Sequence, residues 1–253
     1  MTGSGLLTGK VALVTGAGRG LGRSACLSLA ESGADIVAGA RSTEQLDKLR
    51  TDVQALGRRC VTTATDVTCA ASVDALVRMA TAELGRLDVV VSNAGIINQA
   101  PILDTSDEDW DAVVATNLRG AFLVLRAAGR VLTAQGSGKV INVASHWGLR
   151  GVPRHASYCA TKAAIVNLTR TAAAEWARYG VQVNAIAPGY FATDINAQAR
   201  ADPALNNRIL KGIPMRRMGE PAEFGRWVVL LASEATAFMT GETIVLDGGE
   251  SAL

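Results

Sequence analysis

Short β-rich apolar runs alternate with amphipathic helical stretches along almost the whole chain, and this alternation restricts the fold more than any single motif. The runs lie at 10–15, 35–40, 60–65, 87–91, 139–144, 181–187 and 243–246. Helical periodicity fills the intervals at 21 to about 32, 43 to about 56, 72–84, 107 to about 132, 156 to about 179 and 221 to about 232. Strand–helix–strand repetition returns each strand parallel to the last, so the pattern predicts an α/β fold with one doubly wound, mostly parallel sheet and helices on both faces. No linker or shift in composition divides the chain, and residues 1–253 read as a single domain. Apolar residues at 49% against 19% charged exclude a disordered chain.

The first run enters Gly16-Ala17-Gly18-Arg19-Gly20-Leu21-Gly22 and then a helix. Strand, glycine-rich turn and helix is the context in which backbone can approach a pyrophosphate, with the helix N-terminus stabilising its charge. An NAD-binding unit places an acid about twenty residues further on. Here the second run ends in Ala40-Arg41, with no carboxylate. Arg41 suits a 2′-phosphate, and Arg19 inside the turn can approach the same group. The missing acid and the two cations point to NADP(H).

The fifth run leads into Ser145, and a Gly- and Pro-containing loop then precedes the helix that carries Tyr158 and Lys162. Four residues apart, these two share a helix face. An ammonium beside a phenol favours the phenolate, so a lowered Tyr158 pKa is expected, together with proton exchange with a carbonyl or alcohol oxygen. Ser145 can donate a hydrogen bond to that oxygen. Residues 190–214 follow the sixth run and contain Pro203, with few positions to anchor them in a core. They read as a substrate lid at the carboxyl ends of the strands, with Phe191, Ile195, Leu205 and Ile209 as its apolar wall.

Taken in order, the glycine turn, Asn93-Ala94-Gly95, Asn117, Ser145, Tyr158 with Lys162, and Pro188-Gly189 resemble the short-chain dehydrogenase/reductase family over nearly the whole chain. The resemblance implies a Rossmann-type sheet and a metal-free hydride transfer between NADP(H) and a ketone or secondary alcohol. Tyr158 would be the general acid/base, Lys162 its pKa modulator and a ligand of the nicotinamide ribose, and Ser145 the carbonyl-orienting donor. Asn117 would hold a water in a relay towards Lys162. Gly16, Gly20, Leu21 and Gly22 would meet the pyrophosphate, Asp66 and Val67 the adenine, and Asn93, Ala94 and Gly95 the cofactor's flank. Pro188, Gly189, Phe191 and Thr193 would face the nicotinamide.

Substrate-side candidates are His146, Trp147, Leu149, Arg154, Tyr190, Phe191 and Met215, with Trp147 and Tyr190 foremost beside Ser145 and Tyr158. The motifs are similar to those of gluconate 5-dehydrogenase-type members and of 3-oxoacyl-acyl-carrier-protein reductases. An acyl-thioester reductase is therefore an alternative, and a non-enzymatic dinucleotide-binding scaffold a more distant one. The family also implies a homotetramer built on the helices at 107–132 and 156–179.

A formal charge of +2 without a Lys/Arg run gives no case for a nucleic-acid partner. No basic segment followed by a long apolar one opens the chain, and no uninterrupted apolar run reaches membrane length, so a cytoplasmic protein without a membrane partner is expected. Cys26, Cys60, Cys69 and Cys159 have no paired spacing and read as free thiols, with no metal site.

Overall fold

A computed structural model describes residues 5–252. Its strands are β1 (Val11–Thr15), β2 (Asp35–Ala40), β3 (Cys60–Ala64), β4 (Val89–Ser92), β5 (Gly138–Val143), β6 (Val181–Pro188) and β7 (Thr243–Leu246). They form one seven-stranded sheet in the order β3-β2-β1-β4-β5-β6-β7, every pairing parallel. β1 and β4 are buried along their whole length, which is why they read as unbroken apolar runs rather than alternating ones. Successive side chains still serve opposite faces. Ala12 and Val14 join one core with α1 (Gly20–Glu31), α2 (Thr43–Ala55) and α9 (Pro221–Ala232). Val11 and Leu13 join the other, with α3 (Ala70–Leu84), α5 (Gly120–Gln135) and α6 (Ala156–Trp176).

The expected helix at 107–132 differs from the regular one its periodicity suggests. α4 (Asp107–Val113) starts at Ser106, whose hydroxyl accepts from the Asp109 amide at 3.1 Å, with three acids in the first turn. Residues Val114–Arg119 then widen into a π-helix before α5 resumes the α-helical pitch. Such widenings recur at functional sites, and this one carries Asn117. The helical body Asp107–Gln135 is long enough, and one stretch of it apolar enough, to cross a membrane. It packs as a core helix, with 56% of its most apolar window buried in the fold.

The segment at 190–214 is partly helical. A 3₁₀ turn (Asp194–Asn196) leads into α7 (Ala197–Ala201) and α8 (Pro203–Gly212). Asp202 caps α8, its carboxylate accepting from the amides of Ala204 and Leu205. Core residues fix both ends, Phe191 edge-on to Phe224 at 6.1 Å and Ile213 fully buried. Phe191 is thus a root of this segment rather than part of its apolar wall, whereas Ile195 is exposed. Cys26 and Cys60 lie in the core, and burial pushes the Cys60 thiol up to about 12. Both are inert packing groups.

Candidate active site

The chain leaves β1 towards β2 on one side and returns to β4 on the other, so the strand order reverses between β1 and β4. A doubly wound sheet opens its ligand crevice at that reversal, beyond the carboxyl ends of the strands. Gly16 and Asn93 occupy those ends. Thr15 joins them: its hydroxyl accepts from the amides of Asn93 at 3.0 Å and Ala94 at 3.2 Å. The Asn93 side-chain amide donates to the carbonyls of Thr15 at 2.9 Å and Gly16 at 3.2 Å.

Behind this clasp the glycine turn is set tightly. Gly16 and Gly20 adopt φ of +64° and +55°, where a side chain would strain the backbone. A Cβ on Gly22 would fall 2.2 Å from the Gly16 carbonyl oxygen and 2.5 Å from the Asn93 side-chain nitrogen. Leu21, beside it, packs partly buried against the core. No side chain caps α1 and no acid lies in its first turn. Its leading amides and the positive end of its dipole are therefore available to an anion. Arg19 and Arg41 flank the turn, exposed, and among the described residues neither is in an ion pair.

Asp66 accepts from the Thr68 amide and hydroxyl, which hold its carboxyl below the usual range, with Arg41 adding to the effect. Val67 is buried against Gly120.

Asn117 is fully buried on the π segment. Its side-chain oxygen accepts from the Ile96 amide at 2.8 Å, and its nitrogen donates to the Ile96 carbonyl at 2.9 Å and to Thr161 Oγ1 at 3.3 Å. The side chain thus holds the turn after β4 rather than presenting a free amide. A Cβ built on Gly95 would sit 3.2 Å from Asn117 Oδ1 and 3.7 Å from Lys162 Nζ, so the three converge.

Lys162 is buried on α6, and its ammonium donates to the Val143 carbonyl at 2.7 Å. Burial lowers its pKa to about 8. Its Nζ lies 5.6 Å from the centre of the Tyr158 ring. Ser145 is buried at the end of β5, its hydroxyl accepting from the Trp147 amide at 3.2 Å. The expected lowering of the Tyr158 pKa is not found. Burial raises it, and a side-chain hydrogen bond with Ser145 offsets only part of the rise. The ammonium is directed at Val143, so desolvation of the phenolate wins.

Trp147 stands edge-on to both Tyr158 and Tyr190, each at 5.9 Å, and packs on His155 at 4.5 Å. These aromatics form one cluster around Trp147. A bridge between Ala100 and His155 joins the loop after β4 to the loop before α6, where Arg154 holds φ of +69°. Leu149 and Met215 are exposed at 47% and 60%. Pro188 ends β6, and Gly189 donates its amide to the Leu246 carbonyl at 2.8 Å. Phe191 and Thr193 lie at the root of the 190–214 segment. The Phe191 carbonyl accepts from the Asn196 side chain at 2.7 Å. Thr193 shares a capping box with Asn196 and sits against Gly20, with a Cβ there 3.7 Å from that of Thr193.

Two participants have no signal in the sequence. Thr161 reaches Asn117, forty-four positions away, only once α6 is docked. Glu250 reaches His146 and Arg150 from the far end of the chain.

A family model described as enoyl-(acyl carrier protein) reductase matches residues 16–251. The chain is 42% identical over 244 residues to a 2-dehydro-3-deoxy-D-gluconate 5-dehydrogenase of Escherichia coli (strain K12), covering 96% of each. It is 40% identical over 245 residues to a 3-oxoacyl-[acyl-carrier-protein] reductase of Synechocystis sp., covering 96% of this chain and 97% of the relative. Among solved structures, a gluconate 5-dehydrogenase from Burkholderia cenocepacia J2315 in complex with NADP and tartrate superposes with a TM-score of 0.93 at 37% identity, covering 100% of this chain and 98% of that one.

Proposed function

The chain belongs to the short-chain dehydrogenase/reductase family, and from that premise we propose that it is an NADP(H)-dependent oxidoreductase acting on a ketone or secondary alcohol, with Tyr158 as general acid/base. The observation that carries this reading is the convergence of Ser145, Tyr158 and Lys162 beside a crevice whose glycine turn, uncapped helix and two unpaired arginines fit a phosphorylated dinucleotide. When bound, NADP(H) supplies or accepts the hydride.

The chain's own residues handle the oxygen and its proton. Ser145 donates a hydrogen bond to the substrate oxygen and stabilises charge developing there. Tyr158, kept as a phenol by its burial, gives the proton to that oxygen in the reductive direction and takes it back in the oxidative one. Lys162 supports the phenolate through its charge and reaches the nicotinamide ribose. Asn117 holds the turn at Ile96 so that Gly95, Lys162 and the relay route beside them keep their spacing. Gly16, Gly20, Leu21 and Gly22 meet the pyrophosphate, Arg19 and Arg41 the 2′-phosphate, and Asp66 and Val67 the adenine. Asn93, Ala94 and Gly95 flank the cofactor, and Pro188, Gly189, Phe191 and Thr193 face the nicotinamide. Trp147 and Tyr190 bound the substrate.

Within this reading the 190–214 segment closes as a lid over substrate. The enzyme assembles as a cytoplasmic homotetramer, covering the exposed Ile102, Leu103, Trp110 and Phe122 beside and along the α4–α5 body. For the substrate, the Escherichia coli and Burkholderia relatives favour a sugar acid. The Synechocystis relative favours a 3-oxoacyl thioester as the second reading. An NADPH-consumption screen over keto sugar acids, simple ketones, diketones and an acetoacetyl thioester decides between them. Turnover of none of these carbonyls with NADPH, nor of the corresponding alcohols with NADP⁺, would refute the assignment.

A further inference from the structure

Gly148 closes the short turn that follows Ser145, His146–Gly148. Its φ is not positive, so its backbone conformation does not call for glycine. Space is what excludes a side chain. A Cβ built on it would fall 2.6 Å from the Lys162 carbonyl carbon, 2.8 Å from the Lys162 carbonyl oxygen and 2.9 Å from the Ala163 amide nitrogen. All three are main-chain atoms of α6, so no change of rotamer makes room. The turn rests directly on the helix backbone, at the residue that carries the ammonium.

Lys162 meets the same loop a second time. Its Nζ donates to the Val143 carbonyl at 2.7 Å. Val143 stands before Ser145 and Gly148 after it, so one helical residue holds both flanks of the serine, with its side chain upstream and its backbone downstream. Between these contacts the Ser145 hydroxyl accepts from the Trp147 amide at 3.2 Å, and the Ser145 carbonyl accepts from the Gly148 amide at 2.9 Å. The direction of the serine side chain is thus tied to the seat of the turn. Tyr158 lies one turn before Lys162 on the same helix, so serine and phenol are both referenced to α6.

We propose that Gly148 is a positioning residue for Ser145: its bare Cα lets the turn dock on the α6 backbone, and that contact sets the spacing of Ser145 from Tyr158. This rests on the catalytic reading of Ser145 and Tyr158 and goes beyond it, because Gly148 touches neither substrate nor cofactor in that reading.

The geometry also gives the size of the effect. Ordinary contact begins at 3.4 Å, so a methyl group placed at 2.6 Å must back away by about 0.8 Å. The helix has 21 residues and packs along β6, whereas the turn has three, so the turn yields. It is not free to swing outward. His146 Nδ1 lies 3.1 Å from the Pro188 carbonyl oxygen at the end of β6, and Trp147 stands edge-on to Tyr158. The displacement passes to Ser145, and a misplacement near 1 Å costs about 10²-fold in rate.

Gly148→Ala should therefore lower kcat by about ten- to a hundredfold on the carbonyl turned over in the screen. NADPH affinity should stay near wild type, because the glycine turn and both arginines lie on other elements. Gly151→Ala is the control: it alters the same loop, but a Cβ there meets nothing within 4 Å, and kcat should be unchanged. A double-mutant cycle separates positioning from general weakening. In a Ser145→Ala background, Gly148→Ala should change the residual kcat by less than about twofold, since the group it positions is gone. Hydrogen-exchange NMR of unliganded wild type gives a reading that needs no variant. The Gly148 amide should be protected like the α6 amides beneath it.

Full kcat in Gly148→Ala overturns the proposal, as does the same fold loss in the Ser145→Ala background or an equal loss in Gly151→Ala. Exchange at Gly148 as fast as at Arg150 and Gly151 also overturns it, and decides alone if Gly148→Ala does not fold. Failure of the catalytic reading would appear separately, as full turnover in Ser145→Ala or Tyr158→Phe with the Gly148 amide still protected.

Discussion

Lys162→Met separates what the buried ammonium does for activity from what it does to stability. Burial brings the lysine from its ordinary 10.5 to about 8, with no carboxylate contributing. At about 1.36 kcal/mol per pH unit, that displacement is roughly 3 kcal/mol against folding whenever the amine is protonated in both states. The unfolded chain binds the proton more tightly, so the folded protein releases it first. The penalty is therefore full below about pH 8 and is relieved as pH rises towards 10.5. Methionine has nearly the same reach and removes the penalty. It also removes the hydrogen bond to the Val143 carbonyl, and orphaning that oxygen costs about 1–3 kcal/mol. The variant should thus equal or exceed wild type in stability by up to roughly 2 kcal/mol near neutral pH, while losing turnover. Towards pH 10.5 the difference should swing by roughly 3 kcal/mol in favour of wild type. Equilibrium urea unfolding of both proteins at the two pH values measures this, with other titrations cancelling in the difference. A stability difference that does not change with pH would refute the reasoning.

Tyr158→Phe should lower kcat by about 10²-fold or more while leaving NADPH affinity near wild type, as steady-state kinetics and fluorescence titration will establish. Arg19→Ser with Arg41→Ala should weaken NADPH by roughly ten- to a hundredfold per lost contact and leave NADH almost unchanged, because only the former carries the 2′-phosphate. Hydrogen exchange over 194–212 should slow when NADPH and a substrate analogue are added. Equal strong protection in both states would make α7 and α8 a fixed element.

The sheet is legible because each strand is short and bounded by turn residues, and because central strands such as β1 and β4, buried on both faces, read as unbroken apolar runs. The glycine turn was legible for the same local reason, as was the Tyr158–Lys162 spacing. Their surroundings were not. The raised pKa of Tyr158 depends on how deeply α6 is buried and on the Lys162 ammonium turning to Val143. The family pattern singles out Asn117, but its bonds to Ile96 are made from a π turn that periodicity cannot reveal. Phe191 reads as a lid residue because the stretch that follows it is mostly small and polar, yet Phe224, thirty-three positions on, supplies its core contact. Glu250 went unnoticed since nothing local links a C-terminal acid to a histidine at 146.

The π segment also makes the long helical body a register device. It holds about one residue more per turn than the helix on either side, so it absorbs one residue without turning α4 away from α5. Deleting a single residue within 114–119 would let an uninterrupted α-helix form, with both flanks left in nearly their present orientation. Local helix energetics would favour that, and α4 would keep its face. What the shortened helix would lose is the widened turn that sets Asn117 against Ile96. The deletion should therefore cost activity more than stability.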